Sequence, residues 1–357
     1  MSSFLNNIQA LRAYAAANVV YVHLLQIFGT PIICGIVPAA FGLYGVDLFF
    51  VLSGFLMARI METDPSAFLK RRLVRIVPLY WLCTLGVYII ALLKPELLHT
   101  TQANAWNLIK SLGFLPYRKE GGVMQPMLFL GWTLNYEMYF YVICSVILLF
   151  RTAIPVLWVS LIISALPALA MVFPPKSDLI GFYSNTIVFE FILGMIAYLI
   201  FAQWQNRSKP CRWEMWLLLS CLVALPWMES VGGIRHRVML LGLPAAGVVL
   251  ASARLEIKGI VVRNRFILLV GNASYVLYLT HPYVLQVAEK FFHCGQLRSG
   301  MAKMVAALLM TGAAVAFASG LHVFVEIPLV RQLKLRFLPQ KPARFLPEET
   351  TAQVASL

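Results

Sequence analysis

The stretch Arg12-Ala13-Tyr14-Ala15-Ala16-Ala17-Asn18-Val19-Val20-Tyr21-Val22-His23 carries two ionisable side chains on an otherwise mostly apolar run. In a helix, eleven residues make almost three turns, so Arg12 and His23 project from one face, separated by roughly 16 Å along the axis. That is about half the hydrocarbon thickness of a bilayer. With Arg12 at one membrane boundary, His23 is expected near the midplane, where an ionisable group is costly and usually kept for function. The pair reads as a charged anchor at the rim and a proton-handling group inside.

Composition gives the class. Of 357 residues, 60% are hydrophobic and 12% charged, and the mean hydropathy is +0.78. A soluble domain could not stay in solution with this balance, so the expected fold is all-α, a polytopic integral membrane protein. The net charge of +14 would suggest nucleic acid in a soluble protein. Here the basic residues fall mostly in short loops between apolar runs, so the partner they address is the lipid bilayer and no nucleic acid is expected.

Apolar runs of spanning length lie at about 9–30, 41–60, 76–93, 130–150, 153–173, 185–201, 214–231, 238–253, 266–289 and 303–325, which predicts about ten transmembrane helices. Assigning alternate sides places 19 of the 29 Lys and Arg on the amino-terminal side and 10 on the other. This favours both termini in the cytoplasm. The 94–129 loop, with Lys94, Lys110, Arg118 and Lys119, runs against that trend. The first run has no basic segment ahead of it and reads as a retained helix. The organisation expected is one transmembrane domain over 1–330 and a disordered cytoplasmic tail over 331–357. The six cysteines lack metal or redox spacing, and no metal site is expected. Cys34 and Cys294 both fall in predicted outer loops and could pair.

The basic cluster Lys70-Arg71-Arg72-Leu73-Val74-Arg75 leads into the apolar run that starts at Ile76. Arg72 and Arg75, three apart, share a helical face and could clamp a phosphate-bearing ligand together with Arg12. Contact with lipid headgroups is the alternative. Asp47 in Gly45-Val46-Asp47-Leu48-Phe49-Phe50 and Glu137 in Trp132-Thr133-Leu134-Asn135-Tyr136-Glu137 lie inside apolar runs and need a polar partner or a wet cavity. Either could orient His23 as a carboxylate does behind a catalytic histidine, or only pair with a helix arginine. Glu190 and His281 add polarity to the same outer half. His281, before Pro282, could instead be interfacial. Glu326, before Pro328, is expected to cap or pair locally. Trp132 and Tyr139 could stack on a sugar or form an interfacial belt.

Five ordered motifs resemble acyltransferase family 3 of the membrane O-acyltransferases: Arg12-(ten residues)-His23, Gly45 to Phe55, Arg72-x-x-Arg75, Trp132-x-Leu134-x-x-Glu137 and Ser274-Tyr275-x-x-Tyr278-Leu279-x-His281. The opening Asn7-Ile8-Gln9-Ala10-Leu11-Arg12 is most similar to the exopolysaccharide O-acetyltransferase branch. The resemblance implies transfer of an acetyl group from acetyl-CoA to a hydroxyl on a sugar, and a lipid-linked glycan would present such a sugar beside the membrane. It makes His23 the essential catalytic histidine, assigns Arg12 and the Arg72/Arg75 pair to the donor, and makes Glu137 a functional carboxylate; Arg71, in the same basic cluster, is a further candidate for the donor. The residues fit that chemistry independently. A neutral imidazole can take the proton of a sugar hydroxyl as it attacks a thioester. Ser53, Asn135 or a backbone amide could hold the oxyanion. Direct transfer and an acetyl-histidine intermediate both remain open. A proton-coupled carrier of a sugar or small organic anion would also hold buried Asp, Glu and His, but it offers no reason for the Arg12 to His23 spacing.

Overall fold

A computed structural model describes residues 6–29, 42–98, 101–204, 212–231 and 236–338. Fourteen α-helices are seen among them. Each of the ten apolar runs overlaps a long helix: α1 (Asn6–Phe28), α2 (Tyr44–Thr63), α3 (Phe68–Leu93), α5 (Gly131–Leu149), α6 (Pro155–Val172), α8 (Phe189–Trp204), α9 (Trp213–Ser230), α10 (Leu243–Ile257), α12 (Ser274–Phe292) and α13 (Gly300–Leu321). Short helices α4 (Ala105–Leu112), α7 (Asp178–Tyr183), α11 (Arg265–Asn272) and α14 (Ile327–Phe337) complete the set. Seven helical segments are long and apolar enough to cross a membrane. The three long helices outside that group are α1, α9 and α12. They bury polar side chains, among them Arg12 and Asn18 of α1, Glu214 and Glu229 of α9, and His281 of α12.

The regular structure of the described residues is helical, as an all-α fold requires, apart from a two-residue antiparallel ladder in the 94–129 segment, Tyr117–Arg118 (β1) with Met124–Gln125 (β2). Two expectations need correction. The 266–289 run is broken at Ala273 into α11 and α12. The last helix does not stop near Pro328. A π turn at His322–Glu326 shifts the hydrogen-bond register just ahead of Pro328, and α14 continues to Phe337, so the tail expected from 331 begins as helix. Residues 339–357 lie outside those described, as does Cys34, and with it the pairing to Cys294.

The layering follows from which helices carry polar or small residues. In the crossing segment of α2, 83% of residues are buried, against 17% in α6 and 28% in the α13–α14 segment. The peripheral helices expose Leu85 and Ile89 on α3, Leu157 and Leu161 on α6, and Leu308 and Leu309 on α13. Surfaces of this kind suit lipid rather than water. The closest crossing is α2 with α8, where Gly54 and Gly194 let the backbones meet. A Cβ on Gly54 would stand 2.0 Å from the Phe191 carbonyl oxygen, and one on Gly194 2.0 Å from that of Val51. Small residues permit such approach where no hydrophobic force separates helices from lipid.

Polar anchors fix the ends. Glu256, at the end of α10, accepts the amides of Asn6 and Asn7 at 2.6 and 2.8 Å, which satisfies the start of α1. The Asn7 side chain donates to the carbonyls of Ser252 and Ile260 and accepts from the Val262 amide. At the other face, Glu229 of α9 accepts the amides of Gly42, Leu43 and Tyr44 ahead of α2. We call the face where α1 starts proximal and the opposite face distal.

Candidate active site

Arg12 sits just inside the proximal face, 9% exposed, with Nη1 donating to Gln9 Oε1 at 3.4 Å. It lines an internal cavity of about 110 Å³ together with Arg72 and Arg75 of α3, Ser53 and Phe49 of α2, Glu137 and Tyr141 of α5 and Ser274 and Tyr278 of α12. Arg72 and Arg75 converge because a three-residue step keeps them on one side of α3. Arg71, one residue earlier, is turned about 100° away. Its Nη1 donates to Asp64 Oδ2 at 2.7 Å and Nη2 to the Asp64 carbonyl, and it lines neither the cavity nor the cleft that opens from it. The expectation that Arg71 serves the donor is therefore not supported by its position.

Glu137 faces into the cavity. It accepts hydrogen bonds from Ser53 Oγ at 3.0 Å and from the Tyr141 hydroxyl. Tyr141 is the residue one helical turn on from Glu137, so the i,i+4 relationship could have pointed to it. Asp47 lies elsewhere. Both its oxygens are held by Arg237, Oδ1 from Nε at 2.7 Å and Oδ2 from Nη2 at 2.9 Å, and Glu190 stands 3.6 Å from the same Nε. A buried carboxylate gripped by both arms of a guanidinium is committed to that partner. Neither Asp47 nor Glu137 touches His23, which corrects the expectation that one of them orients it.

The partner of His23 is His281. Their facing nitrogens, Nδ1 of His23 and Nε2 of His281, are 3.2 Å apart, with ring centroids 4.8 Å apart and nearly perpendicular. His23 Nδ1 also lies 2.9 Å from the Val19 carbonyl, and His281 Nδ1 lies 2.8 Å from the Leu277 carbonyl. A carbonyl only accepts, so each Nδ1 carries a proton. His281 Nε2 then has none and accepts from His23. His23 Nε2 is left as the free basic nitrogen, with no hydrogen-bond partner among the described residues. The ring of Phe129 flanks His23 at 5.9 Å.

The two histidines do not line the cavity. Its distal end is closed by Tyr278 and Phe49, whose rings meet edge to face at 6.0 Å, and the Tyr278 ring lies 6.4 Å from that of His281. The Tyr278 hydroxyl bonds to Thr133 Oγ1 at 2.8 Å. Along the α1 axis the order is thus arginines, Glu137 with Tyr141, the Tyr278 layer, then the histidine pair.

The remaining expected residues lie off this path. Trp132 packs on Phe50 and Tyr136, and Tyr139 on Tyr183 of α7, with centroids 4.9 Å apart. Asn135 is fully buried, and neither of its amide atoms has a hydrogen-bond partner among the described residues. Glu326 pairs locally, as its position before Pro328 suggests, with Oε2 2.5 Å from His322 Nδ1. Sequence reasoning missed Arg237 and the π turn that aims His322 and Glu326 at the proximal cleft. The arginine gives no local signal, since its partner is 190 positions away.

A profile of the family described as an acyltransferase domain matches residues 5–323. The exopolysaccharide production protein ExoZ of Rhizobium meliloti (strain 1021) is 32% identical over 307 residues, covering 83% of this chain and 92% of the relative. The O-acetyltransferase OatA of Staphylococcus aureus (strain MRSA252) is 24% identical over 386 residues, covering 96% of this chain and 60% of OatA. No solved structure matches.

Proposed function

The chain belongs to the acyltransferase 3 family, and from that premise we propose that it moves an acetyl group from acetyl-CoA to a sugar hydroxyl of an exopolysaccharide or its lipid-linked precursor, with His23 as general base. The observation that carries this reading is the His23–His281 pair. It leaves one imidazole nitrogen free and gives the imidazolium formed during reaction two acceptors at Nδ1, the Val19 carbonyl and His281. His281 thus does for His23 what a carboxylate does in a catalytic triad.

In the proposed step, His23 Nε2 takes the hydroxyl proton as the sugar oxygen bonds to the thioester carbonyl carbon. The carbon–sulfur bond breaks, and the departing coenzyme A sulfur takes the proton from the imidazolium. Arg12, Arg72 and Arg75 hold the donor phosphates at the proximal end, where guanidinium forks match phosphate oxygens. The Tyr278–Phe49 layer must part for the thioester to reach His23, a side-chain motion of ordinary size.

We assign the proximal face to the cytoplasm of a bacterial inner membrane, with about ten crossings and the acceptor reaching His23 from the distal side. The bias of Lys and Arg toward the amino-terminal side supports this. A proton-coupled carrier is the lesser reading, because the family is one of acyltransferases. The deciding experiment measures radiolabelled acetyl passing from acetyl-CoA to extracted lipid-linked glycans in membranes that hold equal amounts of wild type or His23→Ala. Label on glycan with wild type alone supports the proposal. Equal label with both removes His23 from the chemistry.

A further inference from the structure

At the proximal face the internal cavity is continued by a cleft of about 840 Å³, and the two share Arg12 and Arg75. The cleft is larger than the cavity and falls in the range of small-molecule sites. Its far wall is α14, which contributes Arg331 and Lys334, three positions apart and so on one helical face. Both are exposed at their outer sides. Lys334 lies within electrostatic reach of Arg72 and Arg75.

The charge there is unbalanced. Arg12, Arg75, Arg331 and Lys334 line one space, and among the described residues none of them forms a salt bridge. The acidic residue of the lining, Glu326, is already bonded to His322. Four cations against the single carboxylate of Glu326 leave the space with a net positive charge, and a polyanion relieves the repulsion. Ile327 and Val330, also on the lining, offer an apolar face between the cationic positions.

We propose that this cleft binds an adenosine group carrying a 3′-phosphate and a 5′-diphosphate, with Arg331 and Lys334 of α14 holding the 3′-phosphate and Arg12 and Arg75 the diphosphate at the neck. The proposal rests on the acetyl-CoA reading above and extends it to α14. A diphosphate ester carries about two negative charges and a phosphomonoester about 1.5 to 2 at neutral pH, which matches the four cations. The neck position of Arg12 and Arg75 leaves an attached acyl-bearing arm pointing into the cavity, toward Tyr278. A lipid headgroup would also satisfy α14, but it would leave the neck cations and the depth of the cleft unused.

The test uses the full-length protein in detergent, with adenosine 3′,5′-bisphosphate as the binding probe, 5′-AMP as comparator, and acetyl-CoA or 3′-dephospho-acetyl-CoA as donors in the transfer assay. The bisphosphate is expected to bind at least tenfold more tightly than 5′-AMP. Arg331→Ala and Lys334→Glu should each remove most of that preference and raise the KM for acetyl-CoA about tenfold at constant kcat. The KM for the dephospho donor should barely move. Arg336→Ala, on the same helix but off the cleft, serves as the control for α14 integrity. Equal binding of both nucleotides, α14 variants that bind like wild type, or Arg331- and Lys334-dependent binding of anionic lipid vesicles in place of nucleotide would each overturn the assignment. Nucleotide binding through Arg331 and Lys334 without acetyl transfer would leave the site standing and defeat the acetyltransferase reading. Transfer that ignores the 3′-phosphate and the α14 variants would do the reverse.

Discussion

His23 and His281 stand 258 positions apart in sequence, yet Nδ1 of the first lies 3.2 Å from Nε2 of the second. Each ring is further pinned by the carbonyl one turn before it on its own helix. Since the proton on His23 Nδ1 is shared between two acceptors, the ring cannot flip without losing both, and Nε2 stays aimed away from the pair.

Replacing His281 should therefore weaken the base without removing it. His23→Ala is expected to lower kcat by a factor of about 10³ or more, within the range for loss of a general base. His281→Leu should lower kcat by roughly 10- to 100-fold at nearly unchanged KM, while His281→Gln, which keeps an acceptor, should recover part of the loss. Steady-state kinetics in membranes decides it. A His281→Leu enzyme with wild-type kcat would show that the Val19 carbonyl alone orients His23.

The three arginines of α3 should separate by position. Arg72→Ala and Arg75→Ala are predicted to raise the KM for acetyl-CoA by about 10-fold or more, the loss expected for one charge-assisted contact. Arg71→Ala, freed only from Asp64, should change it less than about twofold, as expected for a partly exposed pair. A donor titration of the three variants side by side tests the ordering.

Asp47 should matter for stability more than for chemistry. Asp47→Ala removes the two-armed grip on Arg237, leaves it Glu190 at 3.6 Å, and is expected to cost about 1.5–3 kcal/mol. Replacing both partners with apolar residues should restore much of this, although Glu190 remains beside the gap. Thermal unfolding in detergent of the two single variants and the double variant measures the coupling. Near-wild-type stability in Asp47→Ala would rule out a structural role for the pair.

Lys119 gives a pH dependence of definite sign. It lies in the loop ahead of α5 and donates to Thr101 Oγ1 and the Met127 carbonyl, and burial lowers its pKa to about 8. Between that value and the ordinary 10.5 the unfolded chain holds the proton that the folded chain has released. Stability attributable to Lys119 therefore rises as pH increases through this window and is least below it. Relative to Lys119→Met, the wild type should gain on the order of 2 kcal/mol between pH 7 and pH 10. A parallel pH dependence of melting temperature in the two proteins would refute the assignment.

The α2–α8 crossing should be intolerant of a single methyl group. Gly54→Ala or Gly194→Ala drives a Cβ to 2.0 Å from a backbone oxygen on the facing helix. Separation of the helices is expected, at a cost of about 3 kcal/mol or more, seen as loss of the monodisperse peak in size-exclusion chromatography.

Residue order alone determined the class of the protein, the positions of its long helices and the relationships within one helix. Hydrophobic runs and three- to four-residue steps are local, so Arg12 with His23, Arg72 with Arg75, and Glu326 ahead of Pro328 were all legible. The tertiary structure decided which polar group meets which across helices. Asp47 could pair with an arginine or serve His23, and only the packing of α2 against the start of α10 chose Arg237. His281 could be interfacial or belong to the polar interior, and only the packing of α12 against α1 turned it onto His23. The aromatic run from Trp132 to Tyr139 could bind sugar or pack internally, and only the tertiary structure set Trp132 against Phe50 and Tyr139 against Tyr183 of α7. A buried polar side chain must find a partner, but its own sequence neighbourhood says only that the need exists. Its partner is set by helix crossings that depend on close contacts such as Gly54 with Gly194, and those contacts involve the whole chain at once.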